Sequence, residues 1–79
     1  MQRSELFEMF QRMATEIAEK DFTGVSEESN IQELGLDSLS TLELVGAMER
    51  ELGVQIPDEQ LVGIQTVGQL LELVENRMS

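Results

Sequence analysis

The chain has no cysteine, no histidine, no tryptophan and no tyrosine, one proline, and only five basic residues. Without cysteine there is no disulfide framework, no thiolate metal site and no thiol nucleophile. Without histidine the usual general base and a common metal ligand are missing as well. The expectation is a protein with no catalytic residues and no metal of its own. No basic-then-apolar leader pattern opens the chain and no apolar run reaches membrane-spanning length, so no membrane is expected and a cytoplasmic setting is the default. The shortage of basic residues matters most. Sixteen acidic groups against five basic ones give a net charge of −11. Such a surface repels nucleic acid and anionic lipid, and steers basic protein surfaces towards itself. Charge also keeps a small protein soluble, and composition does not separate that role from partner docking.

What is present suffices to fold. With 41% apolar residues over 79 positions, the chain is expected to form one domain, 1–79, around a modest core. Over residues 6–17, Leu6, Phe10, Met13 and Ile17 fall four, three and four apart, widened by Phe7, Met9 and Ala14. This predicts an amphipathic helix with Ser4 as N-cap and Glu8–Arg12 and Glu16–Lys20 as i,i+4 pairs. A long connection over residues 20–37 follows, with turn and cap residues at Thr23-Gly24, Ser26 and Ser29-Asn30. Phe22, Val25, Ile31, Leu34 and Leu36 are expected to pin it to the core, since an unanchored loop of this length is out of place in a small domain.

A second helix is expected from Asp37-Ser38 to Leu52, with Leu42, Val45, Met48 and Leu52 on its buried face and Leu44 beside them. Gly53 stands where a helix-ending glycine belongs. Residues 54–56 should be extended ahead of Pro57. Asp58 would then cap a short helix reaching Val62, with Gly63 ending it. Thr66 and Gln69 have the spacing of a capping box for a last helix, whose stripe is Val67, Leu70, Leu71, Val74 and Met78. The fold class expected is all-α: a small four-helix bundle of three main helices and one short one, with a long first loop.

The stretch Leu34-Gly35-Leu36-Asp37-Ser38-Leu39 carries the chemistry. Locally, Gly35 permits a tight turn and Asp37 or Ser38 caps the next helix. For an isolated Asp-Ser, capping alone would explain the residues. Here the wider pattern resembles the phosphopantetheine-attachment signature of the carrier proteins, Gly-x-Asp-Ser-Leu. The likeness continues through Glu43-Leu44-Val45 and then Leu52-Gly53-Val54-Gln55-Ile56-Pro57-Asp58. It covers nearly the whole chain and is specific in its joint spacing.

Resemblance to the acyl carrier family implies that Ser38 takes a covalent 4′-phosphopantetheine arm from coenzyme A, by action of a phosphopantetheinyl transferase. The arm's thiol would hold acyl groups as thioesters. A serine at a helix N-terminus suits this, because a phosphodiester there lies near the positive end of the helix dipole. The resemblance further implies that Asp37 helps the transferase recognise the site. Leu39, Glu43 and Glu49 would meet partner enzymes, with Glu51 beside them on the second helix, in a monomer that serves acyl-loading, elongating and modifying enzymes. The core is expected to be solid in the unmodified chain, and the bundle to part between the second and last helices to shelter an acyl chain, with Met48 as an adaptable lining residue.

Fatty-acid carriers usually have an acidic residue directly after Asp-Ser-Leu. This chain has Ser40, and Arg50 interrupts the acidic run. Both turn the expectation towards a specialised carrier, such as one for polyketides. A peptidyl or aminoacyl carrier shares the fold, the arm and the serine, but such proteins are often less acidic. An unmodified acidic adaptor would need the charge and not Ser38. A serine hydrolase lacks its histidine, and the site is not Gly-x-Ser-x-Gly. No acidic loop has the spacing of a calcium-binding EF-hand.

Overall fold

The computed structural model describes residues 2–22 and 24–78; Thr23, part of the expected Thr23-Gly24 turn, lies outside them. Helix α1 runs Arg3–Ala18 and buries Leu6, Met9, Phe10, Met13 and Ala14, the stripe the spacing predicts. Its start lies earlier than expected. Ser4 is inside the helix, and Gln2 is the N-cap: its N–H donates to Glu5 Oε1 at 3.1 Å, as in a capping box. At the other end Glu19 takes the left-handed conformation (φ 56°) and donates its N–H to the Thr15 carbonyl.

Residues 20–37 are a packed connection. Phe22, Ile31 and Leu36 are buried in the core and Val25 and Leu34 partly so, so all five expected anchors meet it. A 3-10 turn at Gln32–Leu34, not anticipated from the spacing, is ended by Gly35 at φ 86°. A left-handed position there favours glycine.

This connection is tied to a segment more than thirty residues away. Ile31 N–H donates to the Gln65 carbonyl at 2.8 Å, Val67 N–H to Ser29 at 3.0 Å and Gly68 N–H to Glu27 at 2.8 Å. Asn30 and Thr66 form an isolated antiparallel bridge. Arg3 adds a second tie, its Nη1 2.6 Å from Glu27 Oε1 and its Nε 2.7 Å from Glu75 Oε1. It thereby links the start of α1, the connection and the last helix. These groups are about a third exposed, so each pair contributes at most about 1 kcal/mol.

Helix α2 runs Ser38–Leu52 and ends at Gly53 in the left-handed region (φ 69°). Its buried face is Leu44, Val45 and Met48. Leu42, expected on that face, is 45% exposed. Leu44 and Met48 lie four apart with Val45 between, and a stripe centred on them leaves Leu42 at its margin. Pro57 precedes a 3-10 turn at Asp58–Leu61 rather than a short α-helix. Pro57 occupies the cap position, and no side chain, that of Asp58 included, caps the turn.

Helix α3 runs Val67–Met78 and buries Val67, Leu70, Leu71 and Val74; Met78 is half-buried against the core. The expected capping box is formed. Gln69 N–H donates to Thr66 Oγ1 at 3.2 Å, and Thr66 N–H to Gln69 Oε1 at 3.1 Å. The described residues thus make an all-α arrangement of three helices and two 3-10 turns, with a core that buries no polar or charged residue. No helix among them is long and apolar enough to cross a membrane.

Candidate functional site

The site lies where the connection turns into α2. Gly35 reverses the chain and buried Leu36 fixes it to the core. Asp37 then stands extended (φ −77°, ψ −177°) as the N-cap of α2. The choice between Asp37 and Ser38 as cap is thereby resolved. Asp37 Oδ1 accepts Ser40 N–H at 2.8 Å, and the Asp37 carbonyl accepts both Thr41 N–H at 2.9 Å and Thr41 Oγ1–H at 2.8 Å.

The Ser40 N–H hydrogen bond is the main reason that the Asp37 carboxyl is held below its ordinary value. A carboxylate at a helix N-terminus is favoured in its charged form. Because the folded pKa is depressed, the stabilisation is present above the unfolded carboxyl's pKa and is lost as pH falls through the folded value. Asp37→Asn keeps an acceptor for Ser40 N–H but removes the charge. Its melting temperature should lie slightly below that of wild type at neutral pH, and the two should converge in strong acid. Thermal melts of both chains across a pH series check this; a gap that persists at low pH would mean that charge is not what Asp37 contributes.

Ser38 is the first residue of α2. It is exposed, and its hydroxyl makes no hydrogen bond to any described residue. It sits at an open cleft of about 430 Å³. One wall comes from the connection, with Ile31 and Leu36. The second comes from the first turns of α2, with Thr41 and Leu42. The third is the segment after Pro57, with Asp58, Leu61, Val62 and Ile64. An unpartnered hydroxyl beside a mostly apolar cleft fits a covalently attached arm with an apolar load. Of the amides in the first turn, Ser40 N–H is taken by the Asp37 carboxylate. Ser38 itself is open to solvent.

The cleft is separate from the opening expected between α2 and α3 on acylation, and the core of the unmodified chain is solid, as expected. Met48 is fully buried in the core, and the open space lies between α2 and the Asp58–Leu61 turn, not between α2 and α3. Among the described residues three large apolar side chains stay exposed: Leu39 at 66%, Leu42 at 45% and Val62 at 86%. Leu39 is adjacent in sequence to Ser38, and Leu42 and Val62 line the cleft. Of these three, the family resemblance singles out Leu39 alone. The signal for Val62 is an apolar residue in a turn that belongs to no helical stripe.

The expected partner-facing carboxylates separate. Glu43 is exposed. Glu49 is half-buried, and its Oε2 accepts Ile56 N–H at 2.7 Å.

The arrangement offers a hydroxyl beside an apolar cleft, with no described residue hydrogen-bonded to that hydroxyl. It suits a chain that is acted upon. A family model described as "Phosphopantetheine attachment site" matches residues 10–74. The chain is 40% identical over 74 residues to an acyl carrier protein of Saccharopolyspora erythraea, covering 92% of this chain and 78% of that one. It is 39% identical over 72 residues to an acyl carrier protein of Helicobacter acinonychis, covering 90% and 92%. The crystal structure of an acyl carrier protein from Thermotoga maritima superposes with a TM-score of 0.90 at 34% identity, over 96% of this chain and 89% of that one. The chain belongs to the phosphopantetheine-attachment family of acyl carrier proteins, non-catalytic carriers that hold their cargo on a phosphopantetheine arm.

Proposed function

We propose that the 79 residues act as one carrier domain whose arm is attached at Ser38 Oγ, and that the carrier presents acyl intermediates to fatty-acid, polyketide or related biosynthetic enzymes. The single observation that carries the reading is the position of Ser38. It is an exposed, unpartnered hydroxyl at the first residue of α2, directly after a capping Asp37 and at the lip of an apolar cleft. When bound, the arm supplies the thiol that this sequence lacks. The roles left to the chain are to display Ser38, to be recognised through Asp37, and to shelter an apolar load beside Ile31, Leu36, Leu42 and Ile64. Incubation with coenzyme A and a broad-specificity phosphopantetheinyl transferase tests the reading. One phosphopantetheine should be added per chain, and peptide mapping should locate it on Ser38.

In this reading partner enzymes dock on Leu39 and on the exposed carboxylates of α2, with Glu43 foremost, and the carrier works as a monomer in the cytoplasm. Two residues divide the labour. Leu39 offers an apolar anchor, which acts mainly on dissociation, while Glu43 steers encounter with a basic surface. Leu39→Ala should raise the transferase KM at every ionic strength, by about tenfold if a buried anchor is lost. Glu43→Lys should slow association at low salt and flatten its salt dependence. Transferase kinetics on both variants across a salt series check this, with circular dichroism to confirm folding. Wild-type behaviour of both at all salt concentrations would move docking elsewhere.

A further inference from the structure

Glu49 differs from its acidic neighbours on α2. Glu43 and Glu51 are exposed, whereas Glu49 is half-buried and turned to the chain that leaves the helix. Its main-chain carbonyl accepts Gly53 N–H at 2.8 Å and Val54 N–H at 3.2 Å. Its carboxylate accepts Ile56 N–H at 2.7 Å. One residue therefore gathers three of the amides by which the chain exits α2.

Ile56 is buried in the core, and the segment after it is held less firmly, with Leu61 and Ile64 only partly buried against that core. The Asp58–Leu61 turn buries none of its residues. The backbone hydrogen bonds shown there are local: Gln60 N–H to the Pro57 carbonyl and Ile64 N–H to the Leu61 carbonyl. Yet this turn, with Val62 and Ile64, is the outer wall of the cleft beside Ser38. A wall held to the core by only two part-buried side chains, Leu61 and Ile64, depends also on its attachments. At its upstream end those are the burial of Ile56 and the Glu49 carboxylate.

We infer that Glu49 is the positioning residue of this wall: by holding Ile56 N–H it sets where residues 58–64 stand relative to α2, and so the width of the cleft. The inference rests on the reading of the cleft as the shelter of the cargo. It turns Glu49 inward, away from the docking role that its place on α2 suggests. The two roles respond oppositely to a neutral substitution. A glutamine oxygen still accepts Ile56 N–H, so Glu49→Gln preserves a positioning role and abolishes a charge role. Glu49→Ala abolishes both.

The first test uses the unmodified chain, so it does not depend on Ser38 carrying an arm. Amide hydrogen exchange is measured on wild type, Glu49→Gln, Glu49→Ala and, as a charge control, Glu43→Gln. Ile56 should be protected in wild type relative to exposed Gln55. That protection should survive within about threefold in Glu49→Gln and Glu43→Gln, and fall about tenfold or more in Glu49→Ala, where a part-buried amide loses its partner. Amide shifts over residues 58–64 should move in Glu49→Ala alone.

The second test loads the same chains with short and long acyl groups. The chain length at which residues 58–64 begin to respond should change in Glu49→Ala and stay put in Glu49→Gln. Transferase KM should be unchanged in Glu49→Gln. An Ile56 amide that exchanges as fast as Gln55 in wild type overturns the inference, and this result is available even if Glu49→Ala does not fold. So does a Glu49→Gln chain that loses transferase affinity while Ile56 stays protected, which is the signature of a rim charge. If exchange and the shifts of residues 58–64 follow Glu49 but no acyl length perturbs those residues, the positioning role stands and the cargo reading of the cleft has failed; if the shifts do not move in Glu49→Ala, the positioning role itself is overturned.

Discussion

Ser38→Ala is expected to fold with an unchanged melting temperature and to gain no mass when incubated with transferase and coenzyme A, whereas the wild-type chain gains one phosphopantetheine. The unchanged fold is a consequence of the cap. Asp37, not Ser38, holds Ser40 N–H, the serine hydroxyl has no partner among the described residues, and alanine is well tolerated in the first turn of a helix. The missing mass gain reflects how the other described serines are placed. Ser26 and Ser29 are engaged with each other, with Ser29 Oγ accepting Ser26 N–H at 3.0 Å. Ser4 lies within α1, and Ser40 is half-buried in the first turn of α2. None of these comes directly after an exposed N-cap aspartate at the lip of the cleft. Intact mass spectrometry reads the outcome directly. Mass gain persisting in the mutant would reassign the attachment site, and loss of the circular dichroism signal would show that Ser38 has a structural role that its surroundings do not reveal.

Phe10→Ala is expected to have the largest effect on stability. Phe10 is fully buried and is among the largest side chains in the core, packed within one cluster that also contains Leu6, Leu36, Leu44, Met48 and Leu70. Truncation of a buried phenylalanine costs about 3–5 kcal/mol. A domain of 79 residues has roughly 4–12 kcal/mol in total at about 0.05–0.15 kcal/mol per residue. This one also bears the self-repulsion of a net charge of −11. The melting temperature should fall by on the order of 20 °C. At low ionic strength the variant should be substantially unfolded at room temperature. Added salt should restore part of the signal, because screening relieves the repulsion without refilling the cavity. Thermal melts of both chains across a sodium chloride series check this. A flat salt response in wild type and mutant alike would mean that the carboxylates are too dispersed to strain the fold.

Much of the architecture is legible because it is local. The α1 stripe from Leu6 to Ala14 comes from three- and four-residue spacing, which any helix must translate into one face. Gly53 ends α2 and the Thr66–Gln69 box opens α3 because the donors and acceptors involved lie within one turn of each other. The Asp37–Ser38 helix start is local in the same sense. That Phe22, Ile31 and Leu36 meet the core is legible for a different reason: a long polar connection needs apolar anchors if it is to stay folded. Expectation and structure part where two local solutions are close in energy. Gln2 and Ser4 are both possible entries to α1, and the Gln2–Glu5 pairing takes the earlier one. Leu42 and Leu44 both extend the α2 stripe, and only the direction of the packing partner decides between them.

Periodicity, capping and charge act over a few residues, and they suffice for the helices, most of their ends, the serine at the start of α2 and the acidic surface. How these parts stand together is a matter of long-range packing. Residues 27–31 pair with 65–68, and Arg3 reaches both Glu27 and Glu75. The same packing seals Met48 in the core, while the open space forms between the Asp58–Leu61 turn and Ser38. It also turns Glu49 inward to Ile56 N–H and leaves Leu42 and Val62 exposed. Each of these depends on two segments distant in the chain arriving at one place, and the spacing within either segment carries no record of the other.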